Sequence, residues 1–390
     1  MDKNLKVALV HDYLREYGGA ERVLEALHEM FPEAPIYTSY LNLNGLGPHA
    51  QRIKNWNIKT SWMQNLPFAN KLISPLRVLA PAAFESFDLT EYDLVISSSS
   101  SYFANTVITS PEALHINYIH TPPRYLYGYA TSYNYKKHWW TRIAGEIANH
   151  FLRLMDFEIA QRPDVLIANS KNIAARIKKF YRRDSEVIYP PIDVKRFKNI
   201  DLRFKKEREY YLSLGRLVRG KGTEIIVEAC TKLDLPLKVV GSGPELERLK
   251  KLAGKNVEFL GLIKDEDIPE ILAGAKATIV ASEDEDFGIV PVESMAAGTP
   301  VIALRAGGFL ETVVEGNPST SSGRATGEFF EKATTESLME VLKEFKPEKY
   351  ESENCVTQAE KFSKEEFKKK ISQLIEKNYR VDWVKIFCHI

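Results

Sequence analysis

Short apolar runs rich in Val, Ile and Leu recur along the first half of the chain: KVALVH (residues 6–11), YDLVISSS (92–99), HINYIH (115–120) and DVLIANS (164–170). They are too short for buried helices and too continuously apolar for strands wetted on one face. Stretches between them, such as GAERVLEALHEMF (19–31), repeat their apolar positions at helical spacing. A second set follows: YYLSLG (210–215), LKVVG (237–241), NVEFLG (256–261), ATIVAS (277–282) and PVIAL (300–304). This alternation predicts an α/β protein with parallel sheets covered by helices on both faces. Between the two sets lies VIYPPIDVKRF (187–197), where Pro190 and Pro191 stop both kinds of element and read as a hinge. The expected architecture is two doubly wound, Rossmann-like domains facing each other across a cleft. Their predicted bounds are residues 1–188 and 189–365, with an amphipathic helix over 366–390. The segment NPSTSSGRATG (317–327) reads as a loop.

Composition narrows the function classes. The chain has 390 residues, 44% of them apolar, enough for two real cores. A net charge of +1 provides no global field for nucleic acid, so none is expected as a partner. Three scattered cysteines, Cys230, Cys355 and Cys388, argue against a disulfide framework and a Cys-rich metal site. No apolar run approaches a bilayer-spanning length, and the opening MDKNLKVALVHDY turns polar too soon for a signal peptide. A cytoplasmic protein is expected.

Charge is nevertheless uneven. Residues 34–84 contain no Asp or Glu, yet hold Arg52, Lys54, Lys59, Lys71 and Arg77 among Trp56, Trp62, Met63 and Phe68. A second mixed stretch runs SYNYKKHWWTRIAGEIANHFLRLMDF (132–157). Basic residues interleaved with aromatics suit a surface that meets anionic lipid headgroups. The same residues also read as core aromatics with solvated lysines.

Ligands of open α/β sheets sit beyond the C-terminal ends of the strands, and the polar oddities of this chain fall there. Gly18 and Gly19 follow the first strand and precede a helix; they permit close backbone approach, or simply make a turn. His120 ends a strand and is followed by the rigid Pro122–Pro123, with Arg124 and Tyr125 next along. GRLVRGKG (215–222) fits G-x-x-x-x-G-K but has Gly222 where a magnesium-binding Ser or Thr belongs, so a P-loop is disfavoured. Arg216 and Lys221 still flank a glycine-containing strand-to-helix turn, where they would grip phosphate. GSGPELERL (241–249) lacks the third glycine of a dinucleotide fingerprint and reads as a tight turn. In EDFGIVPVE (285–293), Glu285 and Glu293 flank Phe287 and Gly288, with Pro291 suited to a first helical turn and Gly298 to its stop. The helix N-terminus opening after Gly288 presents backbone N–H groups, a seat for an anion; capping and solubility are the competing reading.

Taken in order, these motifs resemble the retaining glycosyltransferases of family 4, which have the GT-B fold. Glu285 and Glu293 match that family's E-x7-E signature. GRLVRGKG resembles its Gly-Arg-Leu…Lys-Gly turn, and HDYLREYGGAERVLEAL and HTPPRYLYGY resemble bacterial mannosyltransferases of O-antigen and related surface polysaccharides. The resemblance implies that Glu293, in the first helical turn, holds the ribose of a sugar nucleotide and Glu285 the donor sugar. Backbone N–H groups of Phe287, Gly288, Ile289 and Val290 would face sugar and phosphates, while Arg216 and Lys221 neutralise the departing diphosphate. His120 would touch the transferred sugar, Gly18 and Gly19 would close the cleft, and the base would lie against Leu262 and Ile263. Arg124 and Tyr125 are the acceptor-side candidates, and the last helix would cross back onto the N-terminal domain. No metal or other cofactor is implied; the co-substrate would be a nucleotide-diphosphate sugar, GDP-mannose first and UDP-sugars next. The acceptor would be a glycan or lipid-linked, as in lipopolysaccharide synthesis, with peripheral contact on the inner face of the plasma membrane. Alternatives are a GT-B-like sugar-nucleotide epimerase or hydrolase, and a scaffold that binds without turnover.

Overall fold

The computed structural model describes residues 5–67, 76–100, 103–129, 139–198, 200, 208–316 and 324–387. They form two compact units. The first holds the described residues up to Tyr129, those from 139 to Pro191, and those from Glu365 onward; the second runs from Ile192 to Lys364.

The first unit is built on a seven-stranded sheet of order β3-β2-β1-β4-β5-β6-β7, parallel throughout. Its strands are β1 Val7–His11, β2 Ile36–Thr38, β3 Ile58–Thr60, β4 Leu94–Ser99, β5 Leu114–Ile119, β6 Val165–Ala168 and β7 Glu186–Val187. β1, β4 and β5 are buried along their whole length, which explains their unbroken apolar character. The helix Gly19–Met30 covers one face with Val23, Leu24 and Leu27. The C-terminal helix Lys364–Phe387 packs Phe367, Ile371, Leu374 and Ile375 into that same core.

The second unit repeats the plan with six parallel strands in the order β10-β9-β8-β11-β12-β13. These are β8 Tyr210–Leu214, β9 Leu237–Val240, β10 Val257–Gly261, β11 Ala275–Val280, β12 Val301–Leu304 and β13 Gly327–Phe330. In each sheet the strand order reverses once, between β1 and β4 and between β8 and β11. Crossovers leave those two neighbours in opposite directions and open a crevice at their C-terminal ends.

Two expectations need correction. Residues 34–84 do not form one basic, aromatic face: they contain β2 and β3, Met63 is buried, and Trp56 packs against the core. Lys59 donates to the hydroxyl of Tyr37 at 3.0 Å, and Arg52 pairs with Glu25 at 3.2 Å. Phe68 and Lys71 lie outside the described residues. The loop read over 317–327 also ends early, because Gly327 already pairs with Val301 as the first residue of β13; residues 317–323 are not described.

Candidate active site

In the second unit the switch point brings two distant loops together. β8 ends at Leu214 and its crossover runs through Gly215, Arg216 and Lys221 into the helix Thr223–Lys232. β11, its neighbour, ends at Val280 and leads through Glu285 into the helix Ile289–Ala296. Lys221 Nζ reaches Glu285 Oε2 at 2.7 Å, with both side chains part-buried. Ser282 Oγ ties the same two loops by donating to the carbonyl of Gly220 at 3.1 Å.

Gly222 makes this approach possible. Its φ is +68°, and a Cβ there would lie 2.3 Å from the carbonyl oxygen of Ala281. The glycine standing where a P-loop has Ser or Thr is therefore a steric requirement of the loop-to-loop contact. Arg216 is exposed at the exit of β8.

The helix Ile289–Ala296 starts from Gly288 at φ +95°, where a Cβ would press on the ring of Phe309 at 2.9 Å. Having no side chain, Gly288 leaves the N–H groups of Ile289 and Val290 without the side-chain cap that Ser or Asp would supply. Phe287 is buried and meets Phe362 edge-on, anchoring the loop. Glu285 is fixed by its backbone, whose carbonyl accepts from Gly308 N at 2.9 Å. Glu293 is only 4% exposed and is the fifth residue of the helix. It sits in the second turn, not the first, because the helix opens at Ile289. Gly298, at φ +79°, closes the helix as expected. Leu262 follows β10 and is 79% exposed, an unusual state for leucine, with the half-buried Ile263 beside it.

The first unit assembles its own polar cluster at the C-terminal ends of β1, β4 and β5. His120 Nε2 and Ser98 Oγ are 2.8 Å apart, and the same Oγ lies 3.1 Å from His11 Nδ1. His11 and Ser98 are register partners in adjacent strands, so the contact follows from sheet pairing. Deep among protein atoms, though with part of its surface reachable, His120 has its pKa lowered to about 3 by burial and then by His11. Asp12 accepts from Ser100 N at 2.8 Å, Ser100 Oγ at 3.0 Å and Ala104 N at 2.9 Å, pinning the segment after β4. Gly18 caps the helix Gly19–Met30; its N–H donates to Glu21 Oε2 at 2.8 Å. Its φ of −140° is ordinary, and a Cβ would meet only Glu21 Oε2, at 3.5 Å. Glycine is thus not needed there for the turn.

Arg124 and Tyr125 lie in the loop after β5. The Arg77 guanidinium stacks 4.3 Å from the Tyr125 ring centroid, and burial raises the phenol pKa to about 12. Among the described residues no group of three or more His, Cys, Asp or Glu side chains could hold a metal ion, and no helix is long and apolar enough to cross a membrane. His11, Glu21 and Ser98 were not singled out by the sequence; the available signals were a His-Asp pair closing β1 and a serine run closing β4.

Comparison with known proteins joins these observations. Residues 17–196 match the model of Glycosyltransferase Family 4, and residues 194–362 that of Glycosyl transferases group 1. A D-inositol 3-phosphate glycosyltransferase of Corynebacterium urealyticum is 30% identical over 194 residues, 42% of this chain and 46% of that protein. A GDP-mannose-dependent alpha-(1-6)-phosphatidylinositol monomannoside mannosyltransferase of Mycolicibacterium smegmatis is 34% identical over 160 residues, 35% of this chain and 42% of that protein. The chain thus spans about half or less of the length of the curated relatives it matches. HepE of Anabaena, solved in complex with UDP and glucose, superposes with a TM-score of 0.68 at 19% identity, covering 96% of this chain and 100% of that one. Two parallel Rossmann-like sheets, the E-x7-E loop and two family models that together run from residue 17 to 362 place the chain in the family 4 glycosyltransferases, with the GT-B fold.

Proposed function

We propose that the protein is a retaining glycosyltransferase that moves a hexose from a nucleotide-diphosphate sugar to a glycan or lipid-linked acceptor. The observation that carries this reading is the Lys221–Glu285 pair beside the uncapped start of the helix Ile289–Ala296. Breaking a glycosyl–phosphate bond builds negative charge on the leaving diphosphate. Lys221, Arg216 and the N–H groups of Ile289 and Val290 are preorganised donors for that charge, so the reading needs no metal. Glu285 would accept from hydroxyls of the donor sugar, and the buried Glu293 from those of the ribose. Exposed Leu262, with Ile263, offers an apolar seat for the base. In the first unit, His120 is assigned to a hydroxyl of the transferred sugar.

GDP-mannose is the favoured donor, on the motif resemblance and the mannosyltransferase relative; UDP-sugars are next, since HepE was solved with UDP. One observation favours a lipid-linked acceptor of the lipopolysaccharide type and peripheral membrane contact. The helix Trp139–Ile159 wears its apolar side outward: Ile143, Ile147, Phe151 and Leu154, at helical spacing, are each more than half exposed. Its buried side carries Leu152 and Ile159, which join the core, together with Asn149 and Asp156. An apolar stripe left outward in this way suits burial in the headgroup boundary.

Calorimetric titration with GDP-mannose, GDP, UDP-glucose, UDP and ATP, with and without magnesium, tests the proposal. The expected result is metal-independent binding of one diphosphate sugar, weakened in Glu293→Ala. Binding of ATP alone, and only with magnesium, would overturn it.

A further inference from the structure

Four side chains of the first unit form one line, joined by two hydrogen bonds and a longer histidine–carboxylate contact. His120 Nε2 meets Ser98 Oγ at 2.8 Å, Ser98 Oγ meets His11 Nδ1 at 3.1 Å, and His11 Nε2 faces Glu21 Oε1 at 3.5 Å. The line ends where Glu21 Oε2 accepts the Gly18 N–H at 2.8 Å. His11, Ser98 and Glu21 are all buried, so water is a poor substitute partner for any of them.

Proton counting gives the line a direction. Both carboxylate oxygens of Glu21 are acceptors, so the nitrogen facing Oε1 must carry hydrogen; a bare imidazole lone pair there would be repelled. A neutral His11 protonated on Nε2 is bare on Nδ1 and takes the single proton of Ser98. Ser98 Oγ then has only lone pairs left for His120, whose Nε2 must therefore be the protonated nitrogen. We propose that Glu21, His11 and Ser98 are positioning residues that fix His120 as its Nε2–H tautomer, leaving Nδ1 as the acceptor the ring presents to a hydroxyl. Burial keeps the His120 ring neutral, so the choice between tautomers is the only one left to it. The presented hydroxyl belonging to a sugar rests on the glycosyltransferase reading; the tautomer does not.

Glu21→Gln supplies a directional test. The Gly18 N–H holds the amide oxygen on its own side, which turns the amide NH2 toward His11 Nε2. That nitrogen must then be bare, His11 Nδ1–H donates to Ser98, Ser98 donates to His120 Nε2, and the protonated nitrogen of His120 becomes Nδ1. Every bond reverses while every partner stays in place.

The measurement is ring 15N–1H correlation on the full-length, histidine-labelled protein near pH ~8, above the ordinary imidazole pKa of about 6.5. The His120 signals are assigned by their loss in His120→Gln. The wild type should show Nε2 protonated, Glu21→Gln should show Nδ1 protonated, and Ser98→Ala should show both forms. An Nδ1–H ring in the wild type, or the same tautomer in wild type and Glu21→Gln, overturns the proposal. Should Glu21→Gln fail to fold, a pure Nε2–H ring in Ser98→Ala overturns it equally. In transfer assays Glu21→Gln should lower kcat by about tenfold, roughly one hydrogen bond, at unchanged melting temperature. Because the ring is read without donor or acceptor, a failed transferase assay and a wrong tautomer are separate results.

Discussion

Lys221 Nζ lies 2.7 Å from Glu285 Oε2 although the two residues are 64 positions apart in the chain. Adjacent strands β8 and β11 deliver them to the same end of one sheet from crossovers that leave in opposite directions. A cation and a carboxylate that hold each other are already placed for a ligand carrying both phosphate and hydroxyls. Lys221→Met and Glu285→Gln should each weaken donor binding by about tenfold, and the double variant should lose less than the product of the two. Calorimetry on the three variants reads this coupling; strict additivity would separate the two roles.

Glu293 is a buried carboxylate inside an apolar helix, and its proposed role is to accept from the ribose hydroxyls. Replacing it by Gln keeps its shape and removes its charge. Donor affinity should drop by roughly 10- to 100-fold, the worth of a charged hydrogen bond of about 1.5–3 kcal/mol. An affinity within a factor of two of wild type would remove Glu293 from the ribose.

Two glycines should respond oppositely to alanine. Gly222→Ala forces a Cβ to within 2.3 Å of the Ala281 carbonyl oxygen at positive φ and should cost about 1–3 kcal/mol of stability or more. Gly18→Ala has room and an ordinary φ, so thermal stability should stay within about 0.5 kcal/mol of wild type. If Gly18 is there for a ligand, transfer activity should nevertheless fall. Denaturation curves beside activity assays distinguish these cases.

Asp156 gives the fold a pH dependence of its own. It is buried beneath the hydroxyls of Tyr127 and Tyr181, at 2.7 and 3.3 Å, and burial outweighs those bonds to raise its pKa from 3.8 to about 7. The folded state therefore binds more protons than the unfolded state across that window. Stability from this group is complete below the unfolded value, is lost as pH rises toward about 7, and changes little beyond. Asp156→Asn should melt higher than wild type near pH ~8, by up to a few kcal/mol, and show little gain at the acid end of the window. His115 and His120, both lowered to about 3, act in the opposite sense, losing stability as pH falls from 6.5. The difference between variant and wild type is accordingly the quantity to measure.

The outward face of the helix Trp139–Ile159 should tolerate charge without loss of fold. Ile147→Asp and Phe151→Asp alter side chains that are 58% and 61% exposed, so melting temperatures should hold. Co-sedimentation with anionic vesicles should fall sharply in both variants if this face meets lipid; unchanged sedimentation would remove the membrane contact.

Much of the second site was legible in advance. E-x7-E, Gly288 and Gly298 punctuate a helix whose ends the chain marks locally, and local marks survive into the structure. The strands β2, β3 and β7 were not legible: at two or three residues they are too short for any period, and only their sheet neighbours make them strands. Residues 34–84 misled for the same reason, since a lysine bonded to a buried tyrosine and a lysine in water have the same one-letter code.

By itself the sequence determined the alternation of apolar strands and amphipathic helices, hence two parallel sheets, and the loops where polar residues gather. Burial along one element is a local property, written in the period of its side chains. Only the tertiary structure decided which loop meets which, Lys221 with Glu285 and His11 with Ser98 and His120, and which apolar residues of the helix Trp139–Ile159 stay outside the core. Those pairings depend on β1 lying beside β4 and β8 beside β11, neighbours far apart in the chain. Such contacts are set by the packing free energy of whole sheets, which no short stretch of sequence contains.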